Sequence, residues 1–299
     1  MLTGADNELI LRRPAGIAAL LPEPVQRVRS LLRGVPRLSL IFLILAVACA
    51  LFAPVIAPYD PIEKDFENIL APPSAQFWLG TDNLGRDNLS RILYGARISV
   101  RIAVIAVALA ASVGTLVALA AGVFRGWVDV LLMRITDGFM ALPYLMVALM
   151  VVALMGASIT NVILVIGLLR WMGFARVLRG EVLKLMESDY VRLAHVAGAS
   201  RPRVMLRHIL PNVTNTLLVL ITLEIGLAVI TESSLSFLGL GVPRPDPSWG
   251  SMLKDAQLYI YIAWWSPVFA GLAITMLVMS CNLVGDWLRD RTDPTRRQL

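Results

Sequence analysis

Two charged residues, Arg170 and Glu224, sit inside apolar runs long enough to cross a lipid bilayer. At about 1.5 Å of helix rise per residue, Arg170 lies about 17 Å inward from the outer end of its run, and Glu224 about 18–20 Å outward from the start of its own. Both depths fall near the bilayer middle. An isolated charge there costs at least about 2.5–3.5 kcal/mol, so the two are expected to pair in a bundle interior. They could also line a path and meet the termini of a zwitterionic solute. Arg134 and Asp137, three residues apart, are expected to pair on one helix face, and Glu232 falls near the outer end of its run, where hydration or helix capping would satisfy it.

Reaction chemistry is harder to find. Gly80-Thr-Asp-Asn-Leu-Gly85-Arg86-Asp87 comes nearest to a phosphate-binding loop, but the motif requires Lys followed by Ser or Thr, and Asp87 would repel phosphate. Asp82, Asn83 and Asp87 lack the spacing of a calcium loop. A turn closing onto the following helix explains them better. His195 and His208 have no acid or cysteine partners at metal spacing, so packing at a surface or interface is their default. Cys49 and Cys281 lie in apolar runs near opposite ends of the chain and read as small apolar fillers.

The segment from Glu187 to Pro211, ESDYVRLAHVAGASRPRVMLRHILP, is different: basic, short-periodic and lodged between apolar runs. Ser188 or Asp189 can cap a short helix in which Tyr190, Leu193, Ala194 and Ala197 recur at helical spacing. Gly198 is placed to end it. Ser200 can cap a second helix that tolerates Pro202 in its first turn, and Pro211 is expected to mark the start of the next apolar helix. Two short helices with a glycine corner present an apolar knob on a polar stalk. Such a shape suits a groove on a partner protein.

The elements that must position these residues follow from composition. Hydrophobic residues make up 57% of the 299 and mean hydropathy is +0.72, too apolar for an ordinary soluble domain. A membrane helix needs about 20 apolar residues. The charge-free stretches predict an all-α, polytopic helix bundle with six spans, at roughly 38–58, 101–124, 129–155, 159–179, 212–237 and 266–286. Pro143 is expected to kink the third, and the stretch from Gly156 to Asn161 to turn the chain into the fourth. About 37 residues precede the first run, which exceeds a leader's usual 7–15, so that run reads as a retained anchor.

Loop charge orients the bundle, because Lys and Arg near span ends stay inside. The N-terminal segment carries Arg12, Arg13, Arg27, Arg29, Arg33 and Arg37. Beyond Arg170, up to Pro211, lie Arg176, Arg179, Lys184, Arg192, Arg201, Arg203 and Arg207, and the tail carries Arg289, Arg291, Arg296 and Arg297. Both termini are therefore expected in the cytosol. This bias accounts for the net charge of +6 without nucleic acid. Trp264 and Trp265 are expected in the outer aromatic belt and Trp127 in the inner one.

The 187–211 segment resembles the cytoplasmic loop of ABC-importer permeases, whose pattern is E-A-A, three residues, G, nine residues, I-x-L-P. Here the pattern falls on Arg192, Leu193, Ala194, then Gly198 with Ala199 after it, then His208, Leu210 and Pro211. Arg192 replaces the glutamate, Leu193 the first alanine and His208 the isoleucine. The resemblance is closest to the dipeptide, oligopeptide and nickel branch, and it extends to LGTDNLGRDNLSRILYGAR at Leu79 to Arg97, LSFLGLGVPRPDPSWGSML at Leu235 to Leu253 and NLVGDWLRDRTDP at Asn282 to Pro294.

That resemblance implies a non-enzymatic transport subunit of the bacterial inner membrane, embedded in lipid, with no cofactor of its own. ATP and Mg would be used by two separate cytosolic ATPase subunits gripping the Tyr190 to Pro211 loop. A homologous second permease would complete the path, and an extracytoplasmic substrate-binding protein would deliver di- or oligopeptides, nickel complexes or similar solutes. The implied organisation is a cytosolic segment at 1–37, an anchor helix at 38–58, an extracytoplasmic loop at 59–97, a five-helix permease core at 98–288 with the coupling loop at 187–211, and a cytosolic tail at 289–299. The alternatives are an ion-coupled secondary transporter, which would use Arg134, Asp137, Arg170, Glu224 and Glu232, and a purely structural or receptor-like membrane protein.

Overall fold

A computed structural model describes residues 36–292. The arginines at 12, 13, 27, 29, 33, 296 and 297, and with them most of the two expected cytosolic ends, lie outside the described residues. Regular structure in the described part is helical, apart from one isolated bridge between Thr81 and Asp87. The long helices are α1 (Arg37–Ile56), α2 (Asn88–Phe124), α5 (Ile159–Met186), α7 (Arg201–Phe237) and α9 (Trp265–Thr292), each long and apolar enough to span a membrane. Shorter helices are α3 (Gly126–Met140), α4 (Tyr144–Met155), α6 (Asp189–Val196) and α8 (Trp249–Ala256).

The third expected span differs from its expectation. Pro143 does more than kink one helix: α3 and α4 are separate, bent by 84° across a short break. Proline has no N–H for the helical ladder and disfavours helical backbone at the residue before it, which ends α3 and makes Pro143 the residue preceding α4. The bent pair can count as a sixth, broken span. The turn at 156–161 is as expected: the Ser158 hydroxyl accepts from the Asn161 amide at 3.1 Å, and the Asn161 side chain donates to the carbonyls of Met155 and Gly156.

At the centre of the bundle α2 lies against α5. Its sequence is rich in small residues, and Ala103, Ala106, Ala110 and Ala118 are fully buried. Gly114 marks the closest approach, since a Cβ there would come within 2.5 Å of the Phe174 side chain and of the Trp171 carbonyl. Small residues let membrane helices meet backbone to backbone, where dispersion rather than water exclusion holds them. Helix α1 is the opposite case. Its Leu38, Ile41, Leu51 and Val55 are exposed, as lipid-facing side chains are.

Helix α2 begins well before its expected start, because the Asp87 carboxylate caps it by accepting from the Ser90 amide at 2.8 Å. The resulting extension meets α8: Trp249 is buried and its ring N–H donates to the Ile92 carbonyl at 3.0 Å. Trp265 departs from the belt position expected of it. It is buried and donates to the Thr81 carbonyl at 3.3 Å, while its neighbour Trp264 is exposed.

Candidate functional site

At the 187–211 corner, α6 runs from Asp189 to Val196 and ends in a Schellman arrangement: the Ala199 amide donates to the Ala194 carbonyl and the Gly198 amide to that of His195, each at 3.0 Å. This places Gly198 at φ +81°, a backbone that suits glycine, and no atom lies within 4 Å of where its Cβ would be. The corner is therefore fixed by backbone conformation and not by crowding. Ser188 precedes α6 but caps nothing; its hydroxyl donates back to the Leu185 carbonyl.

The second half of the corner adds a feature to the two-short-helix expectation. Ser200 precedes a short helix, Arg201–Val204, and Pro211 stands in the first turn of the apolar helical stretch, Leu210–Phe237, both as expected; a π turn at Met205–Ile209 joins the two into one continuous run. Pro211 has no N–H to donate, and the π turn just ahead of it absorbs the misfit, with the Leu210 amide reaching back to the Met205 carbonyl. The corner is thus one short helix hinged at Gly198 onto the end of a long one. Tyr190 and His208 face each other across the hinge, ring centroids 6.4 Å apart.

Apolar side chains project outward from this hinge: Leu193 is 67% exposed and Val196 86% exposed, with Leu206 exposed nearby. Val191, Val204 and Ile209 are buried and hold the corner to the bundle. Val196 was not among the residues singled out from sequence, though its spacing of three from Leu193 carries the signal. Arg192 takes Glu187 at 2.9 Å, and Glu187 also takes Arg125 at 2.6 Å. Those two contacts, Arg125 foremost, hold the Glu187 carboxyl below the usual carboxylate range. The arginine standing in the family's glutamate position therefore ties α6 to the residue joining α2 and α3.

In the bundle interior Arg170 on α5 meets Glu224 on α7, Nη1 to Oε2 at 3.0 Å, with both side chains largely buried. The Arg170 guanidinium lies over the Tyr144 ring, 5.0 Å from its centroid. A cavity of about 310 Å³ opens beside them, lined by the α3–α4 break and the facing turns of α5 and α7. Arg134 and Asp137 do not form the pair expected of them: Asp137 instead holds Arg176 of α5, and Asp129 holds Arg179 at 2.6 Å. Both acids face across to the neighbouring helix, where longer arginines reach them.

At the far end of the bundle, the Leu79–Arg97 motif builds a buried ionic cluster that sequence reading missed. Asp82 takes Arg86 at 2.7 Å and Arg91 at 3.4 Å; Asp255 of α8 takes Arg86 at 3.1 Å, Arg91 at 3.4 Å, and Arg244. The partner lies about 170 residues away in sequence, which no local spacing signals. Glu232 is likewise neither hydrated nor a cap. It is wholly buried and accepts hydrogen bonds from Ser99 and Ser236. Among the described residues no three His, Cys, Asp or Glu side chains gather as a metal site.

An apolar helix bundle, a hinged polar corner bearing outward apolar side chains and a charge pair in the bundle interior define a multi-pass membrane protein. Residues 110–298 match the family of the binding-protein-dependent transport system inner membrane component, and residues 37–73 match the N-terminal transmembrane domain of oligopeptide transport permease C. The chain belongs to the first of these families. It is 44% identical over 255 residues to the glutathione transport system permease protein GsiD of Escherichia coli O6:K15:H31 (strain 536 / UPEC), covering 85% of this chain and 84% of that one. GsiD of Shigella dysenteriae serotype 1 (strain Sd197) is 45% identical over the same shares. The protein is thus a permease subunit of an ABC importer of the peptide and glutathione branch, in the bacterial inner membrane, with ATP hydrolysis belonging to partner subunits.

Proposed function

We propose that this chain forms half of the translocation path for di- or oligopeptides or similar small solutes, glutathione among them. A homologous second permease supplies the other half, an extracytoplasmic binding protein delivers the solute, and two cytosolic ATPase subunits, using ATP and Mg, grip the corner formed by Tyr190, Arg192, Leu193, Ala194, Gly198, Ala199, His208, Leu210 and Pro211. The observation that carries this reading is the corner itself. Its outward apolar side chains, Leu193 and Val196, have no use on a free cytosolic surface, and α7 begins at Arg201, three residues beyond its glycine hinge.

The coupling is a matter of differential contact. ATPase subunits that hold the corner differently when open and closed bias the bundle between outward- and inward-facing arrangements. Shifting such an equilibrium from 1:99 to 99:1 takes about 5.5 kcal/mol. The unbroken helix from Arg201 to Phe237 offers a stiff lever for it. Reconstitution tests the whole: the four-subunit complex with its binding protein should accumulate labelled glutathione or trialanine only with MgATP. Accumulation by this chain alone, driven by an ion gradient, would refute the assignment.

A further inference from the structure

Resting on the peptide-importer reading, we propose that the cavity at the break between α3 and α4 is a solute site, where Arg170 exchanges Glu224 for the carboxylate of a small zwitterionic, peptide-like solute. At about 310 Å³ the cavity stands at the low end of small-molecule sites, roughly 300–1,000 Å³. That is room for a short peptide or one end of a longer one. Irregular backbone at membrane depth is tolerated where it lines a cavity of this kind.

Arg170 is poised for such an exchange. Its guanidinium has five donors in a planar fork, yet Glu224 engages it through Nη1 and its Nε makes no hydrogen bond. Glu224 Oε2 likewise meets it as an ion pair without a well-directed hydrogen bond. A buried pair offsets its desolvation only when geometry is good and the remaining donors and acceptors are satisfied. This pair falls short on both counts, so an incoming carboxylate that draws the guanidinium round to use its unpaired donors competes with Glu224 on favourable terms.

Two neighbours keep the site ready. The Tyr144 ring under the guanidinium holds Arg170 in place when Glu224 departs. Helix α4 begins beside it, and Pro143 gives its first-turn amides no side-chain cap, so their partial positive charge adds to the arginine's. Glu224, once released, faces the same cavity and can take the solute's ammonium group. A solute lacking either charge would have to displace the pair without replacing it.

Gly173 allows a test that leaves the charges alone. It lines the cavity, and a Cβ there would meet nothing within 4 Å except Glu224 Oε1 at 3.7 Å. Gly173→Ala should therefore be accommodated, while Gly173→Met fills the space a solute needs. In proteoliposomes holding the complete importer and binding protein, uptake of trialanine and of glutathione is measured per assembled complex, with ATP hydrolysis alongside. Gly173→Met should lower uptake by about tenfold, and more for glutathione, while hydrolysis persists. Arg170→Lys keeps the charge but loses the fork and the stacking, and should lower uptake by roughly fivefold or more without loss of assembly. Unchanged uptake in Arg170→Lys overturns the carboxylate exchange even if Gly173→Met blocks transport, and it decides the matter if Gly173→Met fails to assemble. Failure of the wild-type complex to accumulate either peptide overturns the substrate reading itself, and the site with it.

Discussion

Ser99 of α2 donates a 2.8 Å hydrogen bond to Oε2 of Glu232, which is wholly buried on α7. Ser236 donates to the other carboxyl oxygen at 2.7 Å and accepts from the Val242 amide at 3.1 Å, so the carboxyl pins together two long helices and the chain leaving α7. Truncation to alanine leaves buried hydroxyls without their acceptor, at roughly 1–3 kcal/mol. Glu232→Gln keeps an acceptor of the same shape and should cost less. Thermal unfolding of the extracted complex ranks the two, and a Glu232→Ala protein as stable as wild type would show that the pin carries no weight.

Asp255 is the hub that joins α8 to the start of α2, through Arg86 and Arg91. Removing one partner of a buried ion pair strands the other, at about 3–5 kcal/mol. Asp255→Ala should therefore destabilise strongly. Arg244 is 72% exposed although it shares the same carboxylate, so Arg244→Ala should cost under about 1 kcal/mol. Proteolysis within the 238–264 connection reports the difference; equal susceptibility of the two variants would contradict the hub.

The bundle and the corner were legible because both depend on local pattern. Apolar runs located the spans, and local caps and glycines fixed helix ends, as Ser158 does before α5 and Gly198 after α6. Arg170 and Glu224 were legible by cost, since each charge at mid-depth needs a partner. What local pattern could not reveal was distance: Asp255 from Arg86, or Asp137 choosing Arg176 across helices over Arg134 on its own. Pro143 signals a kink, but the 84° bend between α3 and α4 is an angle that no local pattern specifies. Pro211 falls in the first turn of the apolar helical stretch as its missing N–H suggests, but the π turn that joins this stretch to the helix after Ser200 has no local signal.

The Arg170–Glu224 pair also sets a stability expectation. Arg170→Ala and Glu224→Ala each leave an unmatched charge at mid-depth, worth at least about 2.5–3.5 kcal/mol, and each should lower folded yield. The double variant should recover part of that loss. Strictly additive losses in this cycle would mean that the two charges do not support one another.

Arginine placement and the broken α3–α4 pair together predict six crossings with both termini in the cytosol. Reporter fusions after Arg37, Glu67, Gly126, Ser158, Ser200, Trp249 and Thr295 should read in, out, in, out, in, out, in. The fusion after Ser158 is the discriminating one. A cytosolic signal there would make the α3–α4 pair a re-entrant loop, and one at Glu67 would invert the first span.

Gly198 offers the sharpest separation of folding from coupling. With φ at +81° and open space around its Cβ, a side chain there is opposed by backbone strain alone, roughly 1–3 kcal/mol for a residue such as valine. That is enough to shift the angle between α6 and α7 but little against the insertion energy of the surrounding spans. Gly198→Val should therefore reach the membrane at near-normal level, while uptake and solute-stimulated ATP hydrolysis fall together. Gly198→Asn, which tolerates left-handed backbone, should retain more of both. The order valine below asparagine below glycine is what a hinge requires. Normal transport by a well-expressed Gly198→Val protein would place the contact with the ATPase elsewhere.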